Sequence, residues 1–336
     1  MNNWELINSI DVPGLKVNSY KAEKATITHW IDFAIVFNSC ETRALEYVKL
    51  FKQNQIGTAL LINFKSTNEI KHRNLEYNRK KLKDLTRGNV IELEVELDIF
   101  DYQNNIEIIL NSIPNEVVFN KANWFLDITG EPSIYSVALL KSIKQIFPPP
   151  VLYYFNVSGI YDSQDNNVHK HFSEGISGDI YIPNFHGRPD YSKPWKYIFL
   201  LGFEGERSLS ILKKCEPLSY EVIVANPGYL DKYEDQAIKN NECFLRELGF
   251  VSPDSDVINI DVGDAVTVFN RIKEIFKEIQ GKMNLCIVPL GPKPHSLGAG
   301  FFGLVNNEVS IMYQVPHKYF LKESKRGKYI WLYEII

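Results

Sequence analysis

One run of residues occurs twice in this chain, and that repetition limits the possible folds more than any other feature. Asn38-Ser39-Cys40-Glu41-Thr42-Arg43-Ala44-Leu45 is echoed by Gly202-Phe203-Glu204-Gly205-Glu206-Arg207-Ser208-Leu209, an offset of 164 from Arg43 to Arg207. Asn78 through Leu85 meets Asn241 through Leu248 at an offset of 163, and Leu97-Asp98-Ile99-Phe100-Asp101 meets Ile260-Asp261-Val262-Gly263-Asp264 at the same offset. Asp127-Ile128-Thr129-Gly130-Glu131-Pro132 meets Pro289 through Pro294 at 162. Four collinear matches whose offset drifts one residue at a time point to two fused, similar domains. The 336 residues leave room for two domains, each with its own core.

Hydrophobic patterning gives the class of those domains. Phe33 to Phe37 is a continuous apolar run of the buried-strand type, followed by a helical stretch over 42–52 with Ala44, Leu45, Val48 and Phe51 on one face. Strands are expected at 58–64, 89–97, 124–128, 151–155 and 179–182, and helices at 74–85, 102–113 and 133–146, the last stopped by Pro148-Pro149-Pro150. The second repeat follows the same order. Strands fall at 197–201, 221–225, 257–260, 284–290, 309–313 and 328–333, with helices at 209–213, 235–248, 265–279 and 296–304. Strands alternating with helices predict an α/β fold: two Rossmann-like domains with mainly parallel sheets, forming an internal pseudo-dimer. Residues 1–24 read as an N-terminal extension, 25–190 as repeat one and 191–336 as repeat two, with a polar connecting region over 162–194.

Composition removes several classes of function. A net charge of −4 argues against extended duplex nucleic acid as the main partner, though a few local cations suffice for a small anion. No apolar run approaches the ~20 residues that span a bilayer, and Met1-Asn2-Asn3-Trp4-Glu5 has no secretion-signal pattern. The four cysteines are scattered without C-x-x-C spacing, so reduced thiols in a cytoplasmic protein are expected, with no metal and no cofactor.

Chemistry in open α/β sheets sits beyond the carboxyl ends of the strands, and most of the matched motifs fall in those loops. The first loop places Arg43 and Arg207 in the opening turn of a helix, where a cation opposes the helix dipole. Each either pairs with a neighbouring glutamate or binds an anionic ligand. In the fourth loop, Thr129-Gly130 and Gly291 with Lys293 and His295 combine glycine, a proline-started helix and, in repeat two, two extra donors. Glu131 occupies the position of Lys293, so the two loops cannot be chemically equal. His295 and Lys293 are the candidates for a catalytic role. Asp101 and Asp264 read as helix N-caps, while Asp98 and Asp261 stay open to metal or general-base roles. The pair His169 and His171, with His186 downstream, reads as solvated surface rather than a metal site.

Leu126-Asp127-Ile128-Thr129-Gly130-Glu131-Pro132 resembles the signature loop of the CRISPR-associated Rossmann fold, in which a hydrophobic strand runs into Thr-Gly-Gly-Thr-Lys. Leu290-Gly291-Pro292-Lys293-Pro294 keeps the Gly and Lys of that loop. Repeat one lacks the second Gly and the Lys, and repeat two lacks the Thr. The resemblance implies a six-stranded unit working as a dimer that binds a cyclic oligonucleotide across its axis and switches on an effector. A fused pair would be a one-chain version, akin to the SAVED sensors of bacterial antiphage systems. The expected function is therefore a defence sensor binding a small anionic nucleotide ligand between its repeats and signalling to a separate effector protein. The alternatives are a nucleotide-processing phosphodiesterase and a structural subunit that binds no ligand.

Overall fold

The computed structural model describes residues 1–39, 41–65, 72–96, 102–119, 122–161, 173–249, 257–319 and 324–336. The chain divides into two compact units, Met1–Asp162 with Leu321–Ile336, and Ser163–Phe320.

The first unit opens with a hairpin, β1 (Glu5–Val12) and β2 (Leu15–Ala22), turned at Pro13-Gly14, where Gly14 takes a φ of 82° that a side chain would resist. Then come β3 (Ile31–Asn38), the 3-10 helix η1 (Thr42–Leu50), β4 (Ile56–Lys65), α1 (His72–Leu85), β5 (Val90–Glu96), α2 (Tyr102–Asn111), α3 (Asn115–Phe119), β6 (Asn123–Asp127), α4 (Ser133–Ile146) and β7 (Val151–Ile160). The second unit runs through β8 (Ser173–Glu174), β9 (Gly178–Tyr181), β10 (Trp195–Leu200), α5 (Gly205–Cys215), β11 (Ser219–Ala225), α6 (Lys232–Asn240), α7 (Glu242–Glu247) and β12 (Ile258–Ile260). It continues with α8 (Ala265–Ile279), β13 (Asn284–Pro289), α9 (Lys293–Val305), β14 (Val309–Val315) and β15 (Lys318–Tyr319), before β16 (Lys325–Ile335) returns to the first unit.

Both principal sheets contain five parallel strands in one order. In the first it is β5-β4-β3-β6-β7, and in the second β12-β11-β10-β13-β14. Numbered within each unit this is 3-2-1-4-5, the order of a doubly wound α/β sheet, which reverses direction at the first strand. Right-handed crossovers then send the helices before and after the reversal to opposite faces. The ladders also agree with the sequence repeat. Val36 sits opposite Asp127 and Leu200 opposite Pro289, positions related by the offsets 164 and 162.

The sixth strands depart from the sequence reading. Residues 179–182 were expected to complete repeat one and 328–333 repeat two. Instead β9 pairs antiparallel with β14, and β16 pairs antiparallel with β7. β9 thus joins the sheet of the second repeat at its edge, and β16 joins the sheet of the first repeat in its interior. Burial explains the choice: β16 is long and apolar on both faces from Ile330 to Tyr333, which suits an interior place between β2 and β7. β9 has four half-buried residues and suits an edge. The N-terminal segment read as an extension is part of the first sheet, with β2 burying Leu15, Val17 and Ser19 on one face.

Helix boundaries follow local chemistry. The patterned segment 133–146 forms α4 and 265–279 forms α8, both with the expected limits. Both α4 and α9 are buried around their whole circumference in mid-helix, as expected of helices with little polar face. The expected helix over 235–248 is instead two, α6 and α7, divided at Asn241. The stretch after β3 winds as a 3-10 helix. Its Tyr47 and Leu50 join Ala34, Val36, Leu61, Phe155 and Leu332 in the core of the first unit. In the second unit Phe199, Leu201, Val222, Phe244 and Val288 play that part.

Candidate functional site

The strand-order reversal lies between β3 and β6 in one unit and between β10 and β13 in the other, so the loops leaving those strands border each crevice. In the second unit the two loops run backbone against backbone. A Cβ on Gly202 would lie 2.0 Å from the Leu290 carbonyl oxygen, and one on Gly291 would lie 2.6 Å from that of Leu201. Only glycine fits at both places. Leu290 N–H donates to the Leu200 carbonyl at 3.0 Å and holds the base of the crevice shut.

A buried asparagine braces this loop in each unit. Asn241 is fully buried and donates to the Gly202 carbonyl at 2.8 Å, while Ser208 on α5 donates to its Oδ1 at 2.9 Å. Asn78 on α1, also fully buried, donates to Oδ1 of Asn38 at 2.9 Å and accepts from the Tyr47 hydroxyl. Asn38 corresponds to Gly202 in the repeat, and Asn78 to Asn241. The matched motif at 78–85 and 241–248 therefore carries a buried amide that ties a helix to the first loop. The sequence showed the match, but neither asparagine was singled out. Its signal was a polar residue on an otherwise apolar helix face in both copies.

The two arginines have equivalent internal partners. Arg43 Nε lies 2.7 Å from Glu41 Oε2 and donates to Ser324 Oγ at 2.7 Å, and its Nη1 donates to the Val157 carbonyl at 2.7 Å. Arg207 Nη1 lies 2.8 Å from Glu204 Oε2, its Nη2 donates to the Gln314 carbonyl, and its guanidinium stacks 5.2 Å from the centre of the Tyr313 ring. Both side chains are buried. Burial of Arg207 alone would discourage its charge, but Tyr313 and Glu204 outweigh that and hold the guanidinium above its usual range. Of the two roles open from the sequence, the geometry displays the ion pair: each arginine clamps the first loop to the end of the fifth strand.

The fourth loops differ as their sequences require. In the first unit Asp127 is buried, its Oδ1 accepts from Thr129 N–H at 2.9 Å, and Glu131 is buried as well. The Thr129 side chain is fully buried, whereas Gly130 is partly exposed. In the second unit Pro289 replaces Asp127, and the partly exposed Gly291 and Lys293 lead into α9. The N-cap residues Pro132 and Pro292 have no side chain that caps their helices, whereas Asp264 caps α8 by accepting from Thr267 N–H at 2.9 Å. His295 is fully buried, with Nε2 3.0 Å from the Asp261 carbonyl oxygen. A carbonyl can only accept, so Nε2 carries the proton and Nδ1 is left as a buried acceptor with no partner among the described residues. Burial pushes the imidazole pKa down, partly offset by that carbonyl. Asp261 Oδ1 accepts from Gly263 N–H at 2.8 Å, which closes a local turn. The structure thus joins His295 to the Asp261 segment and puts Gly291 and Lys293 together at one helix start.

Asp98, Asp101, His169 and His171 lie outside the described residues. His186 packs against Tyr181 with the ring centres 5.9 Å apart and the planes tilted by 55°, and no group of three or more metal-ligating side chains occurs among the described residues. Ser177 and His317 form a hydroxyl–imidazole contact of 2.6 Å that the sequence reading missed, because 140 residues separate them.

No protein-family model matches this chain, and no curated protein matches it. Among solved structures, the cytoplasmic domain of a prokaryotic cation chloride cotransporter is similar over 86% of this chain and 96% of its own, at 10% identity and a TM-score of 0.22. A likeness at that score carries no argument about fold or function. No helix among the described residues is long and apolar enough to cross a membrane.

Proposed function

We propose that this chain is a sensor for a small anionic, nucleotide-derived ligand, the fused counterpart of a two-subunit Rossmann-like sensor, and that it signals to a separate effector protein. One observation carries the reading: the Gly291-Pro292-Lys293 turn lies at a strand-order reversal, opens a 13-residue helix whose N-cap is a proline with no capping side chain, and adds a lysine there. Backbone N–H groups, a helix dipole and an ammonium at one place favour a phosphate or a similar anion. The first unit's equivalent loop carries buried Asp127 and Glu131 where the second has Pro289 and Lys293, so the loop of the second unit is the one suited to an anion. The resemblance to the CRISPR-associated Rossmann fold and its SAVED relatives gives the ligand class, a cyclic oligonucleotide, and a role in antiphage defence. Burial of His295 and the internal pairing of Arg43 and Arg207 favour binding over phosphodiester cleavage, because none of the three offers a side chain to a ligand in solution.

Isothermal titration with cyclic and linear oligonucleotides tests the reading. Heat is expected with at least one cyclic ligand, the ligand stays intact after prolonged incubation, and Lys293→Ala removes the heat while leaving the thermal transition in place. Absence of heat with the whole panel refutes sensing, and cleaved product would move the reading to the enzyme class.

A further inference from the structure

A cleft of about 300 Å³ opens in the first unit between residues 24–26, the second half of η1 and the start of β16. Its volume is at the lower end of those that hold small organic ligands, ~300–1,000 Å³. The floor is aliphatic: Ala25, Leu50 and Ile330 are all buried. Among the described residues the rim carries Lys24, Lys49 and Arg326 against a single carboxylate, Glu46, an excess of two positive charges in that lining.

The rim is a built arrangement. Glu46 bridges Lys49 at 2.5 Å and Arg326 Nε at 2.8 Å, and Arg326 also donates to the carbonyls of Gly327 and Glu23. The opposite wall is fixed by backbone pairing of Asn2 with Thr26 and by Ile27 N–H donating to the Leu50 carbonyl at 2.9 Å. Arg326 is thereby aligned before any ligand arrives. The Lys24 ammonium has no hydrogen bond or ion pair among the described residues. Among the described residues no aromatic side chain lines the cleft, so none of them stacks on a nucleobase there.

We infer that this cleft binds an amphipathic anion with an aliphatic body of several carbons and one carboxylate or phosphate head. The body covers Ala25, Leu50 and Ile330, and the head meets Lys24 and Lys49 at the half-solvated rim. This site is separate from the Gly291–Lys293 turn, and its test is independent of oligonucleotide binding.

The test titrates the full chain with hexanoate, octanoate, octyl phosphate and octanamide, following the methyl NMR signals of Ala25, Leu50 and Ile330. Each buried methylene tightens binding about fourfold, so octanoate should bind roughly 15-fold tighter than hexanoate. Octanamide, with the same body and no charge, should bind several-fold more weakly than octanoate. Lys24→Glu, at an exposed position, should weaken octanoate and leave octanamide unchanged, and Thr26→Phe should block both by filling the cleft. Whichever of octanoate and octyl phosphate binds more tightly identifies the head group, and either result supports the site. Equal binding of octanamide and octanoate, shifts confined to other methyls, or no shift with any of the four compounds would overturn the inference.

Discussion

Arg207→Met removes a buried guanidinium and leaves its partners in place. Glu204 keeps its hydrogen bond from Ser173 Oγ but loses the cation 2.8 Å away, and the Gln314 carbonyl loses a donor. Removing one member of a buried ion pair costs about 3–5 kcal/mol, because the remaining charge stays desolvated without compensation. Methionine refills most of the volume, so the loss is mainly electrostatic. Combining it with Glu204→Gln neutralises the stranded carboxylate and should return about 1–3 kcal/mol of that loss. The chain has five tryptophans, of which Trp195 alone lies in the second unit. Urea titration of 5-fluorotryptophan-labelled protein, with the Trp195 resonance assigned by Trp195→Phe, therefore isolates the unit concerned. A loss below about 1 kcal/mol for Arg207→Met, or strictly additive effects in the double variant, would show that the pair does not hold the loop. The arginine would then be available for a ligand.

Acidification should destabilise the protein through His295. Its folded pKa lies below the unfolded one, so the unfolded chain takes up the proton first. The stability is fully present above about pH 6.5 and falls as pH drops below that value, by at most about 1.4 kcal/mol per pH unit. Urea midpoints between pH 7.5 and 5 should fall more steeply for the wild type than for His295→Gln; parallel slopes would refute this. Deleting residues 325–336 should unravel the first sheet rather than the second, because β16 joins β2 to β7. Hydrogen exchange should show lost protection in β2 and β7 with β10–β14 retained, and the reverse pattern would refute the exchanged-strand topology.

The long periodic segments could be read from sequence because their pattern comes from one buried face or one buried core run. That explains α4, α8 and the strands at the centre of each sheet. The Asp264 cap was legible for a similar reason, since its acceptor and donor are three residues apart. Asn241 was not: its breaking of the 235–248 helix depends on Gly202 and Ser208, which are more than 30 residues away.

The sequence alone determined that similar α/β patterns occur twice, in register, with glycine and proline opening the fourth helix of each. Those features depend on neighbours within a few residues, where steric limits and hydrophobic period act directly. Only the tertiary structure decided the partners of β9 and β16: the short, half-buried β9 takes the edge beside β14, and the long, apolar β16 is buried between β2 and β7. It also decided that Arg43 and Arg207 face inward, since Val157 and Gln314, which receive their donors, are more than 100 residues distant along the chain.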